Sequence, residues 1–485
     1  MAELDLKLKT LLSNHIETAL GYLGGNLSEA RKKSIEYYLG DKLGTEIDGR
    51  SQVVSTDVSD TIESILPNLL RVFTASDKVV RCEPVNAEDV PLAEQATAYL
   101  NHVFYKDNDG FQLLYNFFKD ALIEKNGFLK VYWDESETVE FETYENLSKE
   151  DKDALNDTKD EIEIIAEEEF EDEKEKEQYQ KVLEQYEAQG IDTSQIEEPN
   201  FTLYNCKIKR TKKHGKIKIE SVPPEEFLID RNAKTIQEAD FVSHKVLMSR
   251  SDLIAMGYDE EEVKNFPASS DDIYNTEDMV RQRNVDEYPV DNYTQGQSTK
   301  VLIYESYVRY DQDEDGIAEL RKIVSAGDNG SIVLENMPCD NIPFVTVTPI
   351  PMPHRFYGRS VSELVEDIQL MKSTVMRQLL DNMYLTNNNR VAVMDGMVNM
   401  DDLLTTRPGG VVRTKQPPNQ VMQPLQAQPI SNQAFPLLSY LDTVREARTG
   451  VTKSAQGLDA DTLNSKTATG VNTLMTQTQM RSELI

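Results

Sequence analysis

Cysteine is almost missing from these 485 residues. The three present, Cys82, Cys206 and Cys339, are odd in number and widely spaced, with no C-x-x-C. That argues against a disulfide framework or a zinc knuckle and for a reducing compartment. Histidine is scarce as well: there are five, none in an H-E-x-x-H arrangement, which removes the commonest zinc-hydrolase pattern. No G-x-x-x-x-G-K-[ST] loop is present, so the chain is not expected to hydrolyse ATP, and there is no G-x-S-x-G. No apolar run reaches the roughly 18 residues of a membrane span. The N-terminus, Met1-Ala-Glu-Leu-Asp, lacks the basic-then-apolar pattern of a signal peptide. Positive charge is the largest deficit. Lys and Arg total 51 against 85 Asp and Glu, a net charge of −34. Such a chain does not clamp nucleic acid by neutralising phosphates, although it could surround DNA without adhering to it.

What is present is enough to fold. Hydrophobic residues make up 39%, and the length exceeds one compact core, so several domains are expected. The first third reads as helical. Leu8, Leu11, Leu12, Ile16, Ala19, Leu20 and Leu23 recur at helical spacing and stop at Gly24-Gly25. Helices are expected from Ser28 to Leu39, after Thr56, from Pro91, and from Phe111 to a turn at Asn126-Gly127. A strand from Phe128 to Trp133 follows.

From Glu135 to Glu198 Glu, Asp and Lys dominate. Tyr179, Val182, Leu183 and Tyr186 form one narrow apolar stripe there, read as a peripheral amphipathic helix or helical hairpin, with a solvated insert as the alternative. Cys206, Ile208, Ile217 and Ile219 alternate around His214-Gly215, which predicts a β-hairpin. Its outer face is basic, with Lys207, Lys209, Arg210, Lys212, Lys213, Lys216 and Lys218. A solvated surface near the acidic insert is preferred there over a DNA patch.

A modest helix spans Ser249 to Phe266. Strands are expected at Val301 to Arg309, Ala318 to Ser325, Ser331 to Leu334 and Ile342 to Val347, as a small β module. The clearest helix follows. Ser360 and Glu363 make a capping box, and Val361, Leu364, Val365, Ile368, Met371, Val375 and Leu379 mark its buried stripe. Running to Thr386, it would be roughly 39 Å long at ~1.5 Å per residue. Strands at Arg390 to Met394 and Val411 to Thr414, a Pro/Gln-rich linker and a helix from Ser431 to Thr449 complete the pattern. Residues 454 to 469 read as a flexible loop rich in small polar residues. The chain then stops inside a helical pattern, which reads as incomplete.

One motif invites a metal. Asp311-x-Asp313-x-Asp315-Gly316 matches the first half of a calcium loop, but the twelfth position, which needs a bidentate Glu, is Lys322. A tight acidic turn is therefore expected, and no catalytic, metal-binding or cofactor-binding residue is assigned.

Several stretches in this order resemble portal proteins of short-tailed bacteriophages. They are Val222-Pro-Pro-Glu-Glu-Phe-Leu-Ile-Asp-Arg, Tyr310-Asp-Gln-Asp-Glu-Asp-Gly-Ile-Ala-Glu and Pro353-His-Arg-Phe-Tyr-Gly-Arg-Ser-Val-Ser-Glu-Leu. Further along come Arg377-Gln-Leu-Leu-Asp-Asn-Met-Tyr, Pro408-Gly-Gly-Val-Val-Arg, and Arg445-Glu-Ala-Arg-Thr-Gly-Val-Thr followed by Gly457-Leu. The resemblance covers nearly the whole chain and implies a mainly helical α+β, non-enzymatic subunit. It implies a wing over 1–245 with an acidic insert at 135–200, a first stem element and linker over 246–290, and a β-rich clip over 291–357. A second stem helix over 358–389, wing-return strands and helix over 390–452, and a tunnel loop with the start of a crown over 453–485 would follow. It also implies a dodecameric ring at one capsid vertex, assembled in the host cytoplasm, through which double-stranded DNA passes. The implied partners are the terminase large subunit, a tail adaptor, and the major capsid and scaffolding proteins, with no membrane. In that frame Lys453 and Lys466 are DNA-channel candidates, and Asp311, Asp313, Asp315 and Gly316 are clip residues for partner docking. An acidic adaptor or scaffold that never meets DNA, or a metal-dependent hydrolase built on Asp311 to Asp315, are the other readings.

Overall fold

A computed structural model describes residues 2–74, 78–148, 161–171, 176, 202–268, 277, 280–281, 299–327, 329–405, 407–425 and 427–451. The chain forms two compact units, one of Met1–Val131 with Ile219–Ile485, the other of Tyr132–Lys218. The fold is mixed helix and sheet.

The larger unit opens with α1 (Ala2–Tyr22) and α2 (Ser28–Leu39). The expected stop at Gly24-Gly25 is instead a π-helical turn with a kink at Gly25, because glycine permits its non-helical backbone (φ −90°, ψ −137°). Gly40 closes α2 in the left-handed region. Then come α3 (Asp57–Thr74), α4 (Val90–His102) and α5 (Gly110–Glu124). The long helix α8 (Ser362–Asn387) joins α2, α3 and α5 in one core, which includes Ile62, Leu66, Leu122 and Val365.

A second core is a meander in the order β4 (Phe227–Ile229), β5 (Phe241–Ser249), β6 (Lys300–Tyr310), β7 (Glu319–Ala326) and β8 (Ile332–Pro338). The strands expected as a separate small module thus extend a sheet begun by β4 and β5. β6 is buried on both faces, and its alternation sorts its neighbours. Leu302, Tyr304 and Val308 meet Leu8, Leu12 and Ile16 of α1, whereas Val301 and Ile303 meet Leu253, Val263 and Phe266. Those last three lie on and beside α6 (Arg250–Ala255) and α7 (Glu260–Lys264), two short helices where one was expected. Gly257, at φ 98°, ends the first turn, and the Asp259 side chain caps the second.

β9 (Phe344–Val347) pairs with the start of β1 (Gly127–Leu147), from Gly127↔Val347 to Lys130↔Phe344. After α8, β10 (Arg390–Val393) pairs with β11 (Met422–Leu425). The strand expected at Val411 to Thr414 is reduced to one bridge, Val398↔Thr414. Between β10 and β11 lie the short α9 (Met400–Leu404) and α10 (Pro418–Val421), and α11 (Ser431–Thr449) ends the described chain as expected.

In the smaller unit β3 (Thr202–Val222), which runs on into the larger unit, lies between β2 (Glu161–Glu171) and β1. The helical reading of the acidic region is corrected at both described flanks, which are strands. The Glu161-Ile162-Glu163-Ile164 alternation has the strand period of two. The Tyr179 to Tyr186 stripe lies outside the described residues. The hairpin at His214-Gly215 is also corrected, since β3 runs straight through. Gly215 serves close approach instead: a Cβ there would stand 2.2 Å from the Trp133 ring. The basic strand faces the acidic one, with Lys209 opposite Glu163 and their charged ends 3.3 Å apart, while Arg210 pairs with Glu142 at 3.2 Å.

Candidate functional site: the long helix and its surroundings

The motif from Pro353 to Leu364 launches α8. Gly358 packs so closely that a Cβ would stand 2.2 Å from the Ile350 carbonyl, and the Arg359 N–H donates to that carbonyl at 2.9 Å. Ser360 Oγ then accepts from the Glu363 N–H at 3.2 Å. Only half of the expected capping box is used reciprocally, because the Glu363 carboxylate pairs with Lys125 at 2.9 Å and Arg359 at 3.5 Å.

α8 has 26 residues and so is roughly 39 Å long. Its buried side differs from the expected apolar stripe. Val365, Ile368 and Leu379 are buried, but Met371 is exposed, and Glu366, Gln369, Ser373 and Arg377 are buried with them. Those four and Asp381, at successive helical spacings, form one polar line. It holds the irregular segment between α2 and α3, whose backbone groups need partners. Gln369 donates to the Tyr37 carbonyl at 2.9 Å and accepts from the Val58 N–H at 2.8 Å. Ser373 accepts from the Ser55 N–H at 3.0 Å, and Asp381 from the Ser51 N–H at 2.8 Å. Arg377 donates to the Val53 carbonyl and the Thr45 hydroxyl, each at 2.8 Å, and pairs with Glu46. Contacts climb from Gln369 to Asp381 and return, so the segment lies out and back along the helix. Beside this line, buried Asp57 pairs with Lys372 at 2.7 Å and with Arg445 of α11 at 2.9 Å. The sequence signal was available, since Gln369, Ser373 and Arg377 share a face with Val365, but the apolar count outweighed it.

A second charged cluster joins α2 and α5 to Glu225, Glu277 and Arg281. Arg281 reaches Asp120 at 3.2 Å, Glu124 at 2.6 Å and Glu225 at 3.0 Å. Buried Arg31 donates to the carbonyls of Glu124 and Pro224 and lies 3.7 Å from Glu277. Burial pushes the Asp120 carboxyl up to about 6, against the pull of Arg281. Burial likewise raises Glu124, well above the usual carboxylate range, and Glu277. Glu124, Glu225 and Glu277 converge closely enough to hold a cation, but the Arg281 guanidinium already binds two of them. The cluster therefore reads as an ion-pair hub.

The structure brings Asp311, Asp313 and Asp315 together in the β6–β7 connection, with one oxygen from each within 4.8 Å of the others. Asp311 accepts from the N–H groups of Asp315 at 3.2 Å and Gly316 at 2.9 Å, and Asp315 from Ile317 at 2.7 Å. Glu314 (φ 59°) and Gly316 (φ 92°) take the left-handed conformations that the turn requires. Lys322, at the place of a twelfth ligand, lies instead in β7, 3.6 Å from Glu305. Lys453 and Lys466 lie outside the described residues. A polar groove of about 880 Å³ beside α1 is lined by Lys125, Asp230, Arg231, His354 and Arg355 among others.

Residues 8–485 match the family model described as Phage SU10 portal protein. The chain belongs to that family and is a bacteriophage portal protein, a homo-oligomeric component of the capsid and its packaging apparatus. Among the described residues no helix is long and apolar enough to cross a membrane.

Proposed function

We propose that copies of this chain close into a dodecameric ring at one capsid vertex, with a bore that admits double-stranded DNA during packaging and ejection. The match over residues 8–485 carries this reading. The charge supports it physically. A basic bore would grip DNA through counterion release, whereas subunits of net charge −34 offer phosphates few adhesive points. In this reading α8 stands near the axis as a stem helix. The clip expected over 291–357, whose strands continue the sheet of β4 and β5, docks the terminase large subunit and later the tail adaptor through the β6–β7 connection, with the turn from Asp311 to Gly316 at its tip. Lys453 and Lys466 make transient, salt-sensitive contacts with phosphates as DNA moves.

Electron microscopy of the purified protein tests the ring and its bore directly. Deletion of Asp311 to Gly316 should leave rings intact while impairing packaging or tail attachment; normal virions would contradict the docking role. The paired Lys453→Ala and Lys466→Ala variant should assemble normally and change DNA retention in a salt-dependent way. Retention like wild type would remove the two lysines from the channel.

A further inference from the structure

α1 buries one face and opens another onto a trough. Leu8, Leu12, Ile16 and Ala19 pack into the sheet core. Lys7, Leu11, Asn14, Thr18 and Gly21 follow one another at spacings of four and three, so they share a second face. The polar groove of about 880 Å³ lies over the Gly21 end of that face. A second groove of about 710 Å³, with Leu6 and Leu11 on its wall, lies over the other end. Thr18 and Asp230 line both, so the two grooves adjoin along the helix. From Lys7 to Gly25, in the turn after α1, the distance is roughly 27 Å at ~1.5 Å per residue. That is the reach of about eight extended residues at ~3.3 Å each.

Two features of the trough point to an occupant. Gly21 lies inside α1, where glycine weakens a helix relative to alanine, yet a Cβ there would meet nothing within 4 Å. Packing within the chain does not require the glycine, whereas a backbone approaching from outside would use the space it leaves. The cations are the other feature. Arg231 and Arg355 are exposed, and neither makes an ion pair among the described residues. Arg231 lies over the Tyr22 ring, 5.8 Å from its centre. Lys125, on the same lining, is taken by Glu363 at 2.9 Å, and Asp230 is the one acidic residue among the described lining residues. Guanidinium groups left free in a concavity suit a carboxylate, which they bind in bidentate fashion. Duplex DNA needs many cations along a broad surface, which two arginines beside Asp230 do not supply. A second copy brings a net charge of −34, whereas a separate polypeptide can bring one or two carboxylates on an otherwise uncharged segment. We infer that the trough along α1 binds an extended segment of another protein, with an aliphatic side chain over Leu6 and Leu11 and a carboxylate held by Arg231 and Arg355. The inference does not depend on the ring or its bore.

The test uses the full chain and a displayed library of random peptides of about eight residues. The recovered sequences should carry an aliphatic residue toward one end and Asp or Glu toward the other. Synthetic copies of them should bind less tightly as salt rises. The Arg231→Ala, Arg355→Ala double variant should weaken that binding by at least about tenfold. Gly21→Leu is the sharper variant. Its thermal midpoint should hold or rise, because leucine favours the helix, while the same peptides lose at least about tenfold in affinity. Should Gly21→Leu fold poorly, the arginine double variant decides alone. Failure to recover peptides, sequences without acidic residues, or binding indifferent to these variants would overturn the inference. Sequences matching a stretch of this chain would make a second copy the occupant, and displacement of the peptides by duplex DNA would make it DNA; either result overturns the inference as well.

Discussion

The two halves of α8 share one helix and both carry Leu and Met, yet their surroundings differ. The first half, to Arg377, turns one side inward and spends Gln369, Ser373 and Arg377 on a loop that has few backbone partners of its own. The second half ends in Met383, Tyr384 and Leu385, all exposed, and carries no charge after Asp381. The difference teaches that a buried helix face need not be apolar. Where the neighbour is irregular backbone, unmet N–H and C=O groups cost more than the burial of polar side chains that satisfy them.

The sharpest way to break this comparison is Arg377→Ala. It would strand Glu46, buried with it, and free the Val53 carbonyl. A loss of roughly 3–5 kcal/mol is expected, as for breaking a buried pair. Urea unfolding measures it, and a loss below about 1 kcal/mol would show that the polar line does not hold the loop. Gln369→Leu keeps the volume but abandons the Val58 N–H and the Tyr37 carbonyl. It should cost on the order of 1–3 kcal/mol.

The hub on α5 gives a smaller, pH-dependent effect. With the Asp120 carboxyl raised to about 6, the folded state holds a proton that the unfolded chain has already lost. That contribution is complete below an unfolded value near ~4 and is lost as pH rises through about 6. Asp120→Asn should therefore flatten, by on the order of 1 kcal/mol, the decline in stability between about pH 4 and pH 6. Glu124 and Glu277, raised in the same direction, leave part of the decline in place. Glu305 has the opposite sign. Burial pushes it up, but Lys130 and Lys322 outweigh that and hold it at about 2, so its contribution is lost only as pH falls toward that value. Urea midpoints from about pH 2 to pH 6 separate the two, Glu305 acting below the Asp120 window; a variant as pH-dependent as wild type between about pH 4 and pH 6 would remove Asp120 from the account. The smallest effect is expected at the exposed half: Tyr384→Ala should change subunit stability by less than about 0.5 kcal/mol.

Much of this was legible beforehand where a pattern was local. Ser431–Thr449 forms the helix its spacing predicts, and the 26-residue α8 follows from Ser360 and its apolar positions. Other elements depended on partners far along the chain. Gly215 reads as a turn until Trp133 is seen to need its missing side chain. The acidic run reads as a helix until β2 lies against the basic β3. Asp311 to Asp315 announce themselves by spacing, whereas Arg31 and Arg281 meet their carboxylates only through tertiary folding.

Electron microscopy of the purified full chain at high concentration tests the central claim most directly. The account predicts closed rings of twelve copies around a bore wide enough for duplex DNA, with α8 beside the axis. A monodisperse monomer, or a ring whose bore is too narrow for a duplex, would contradict it.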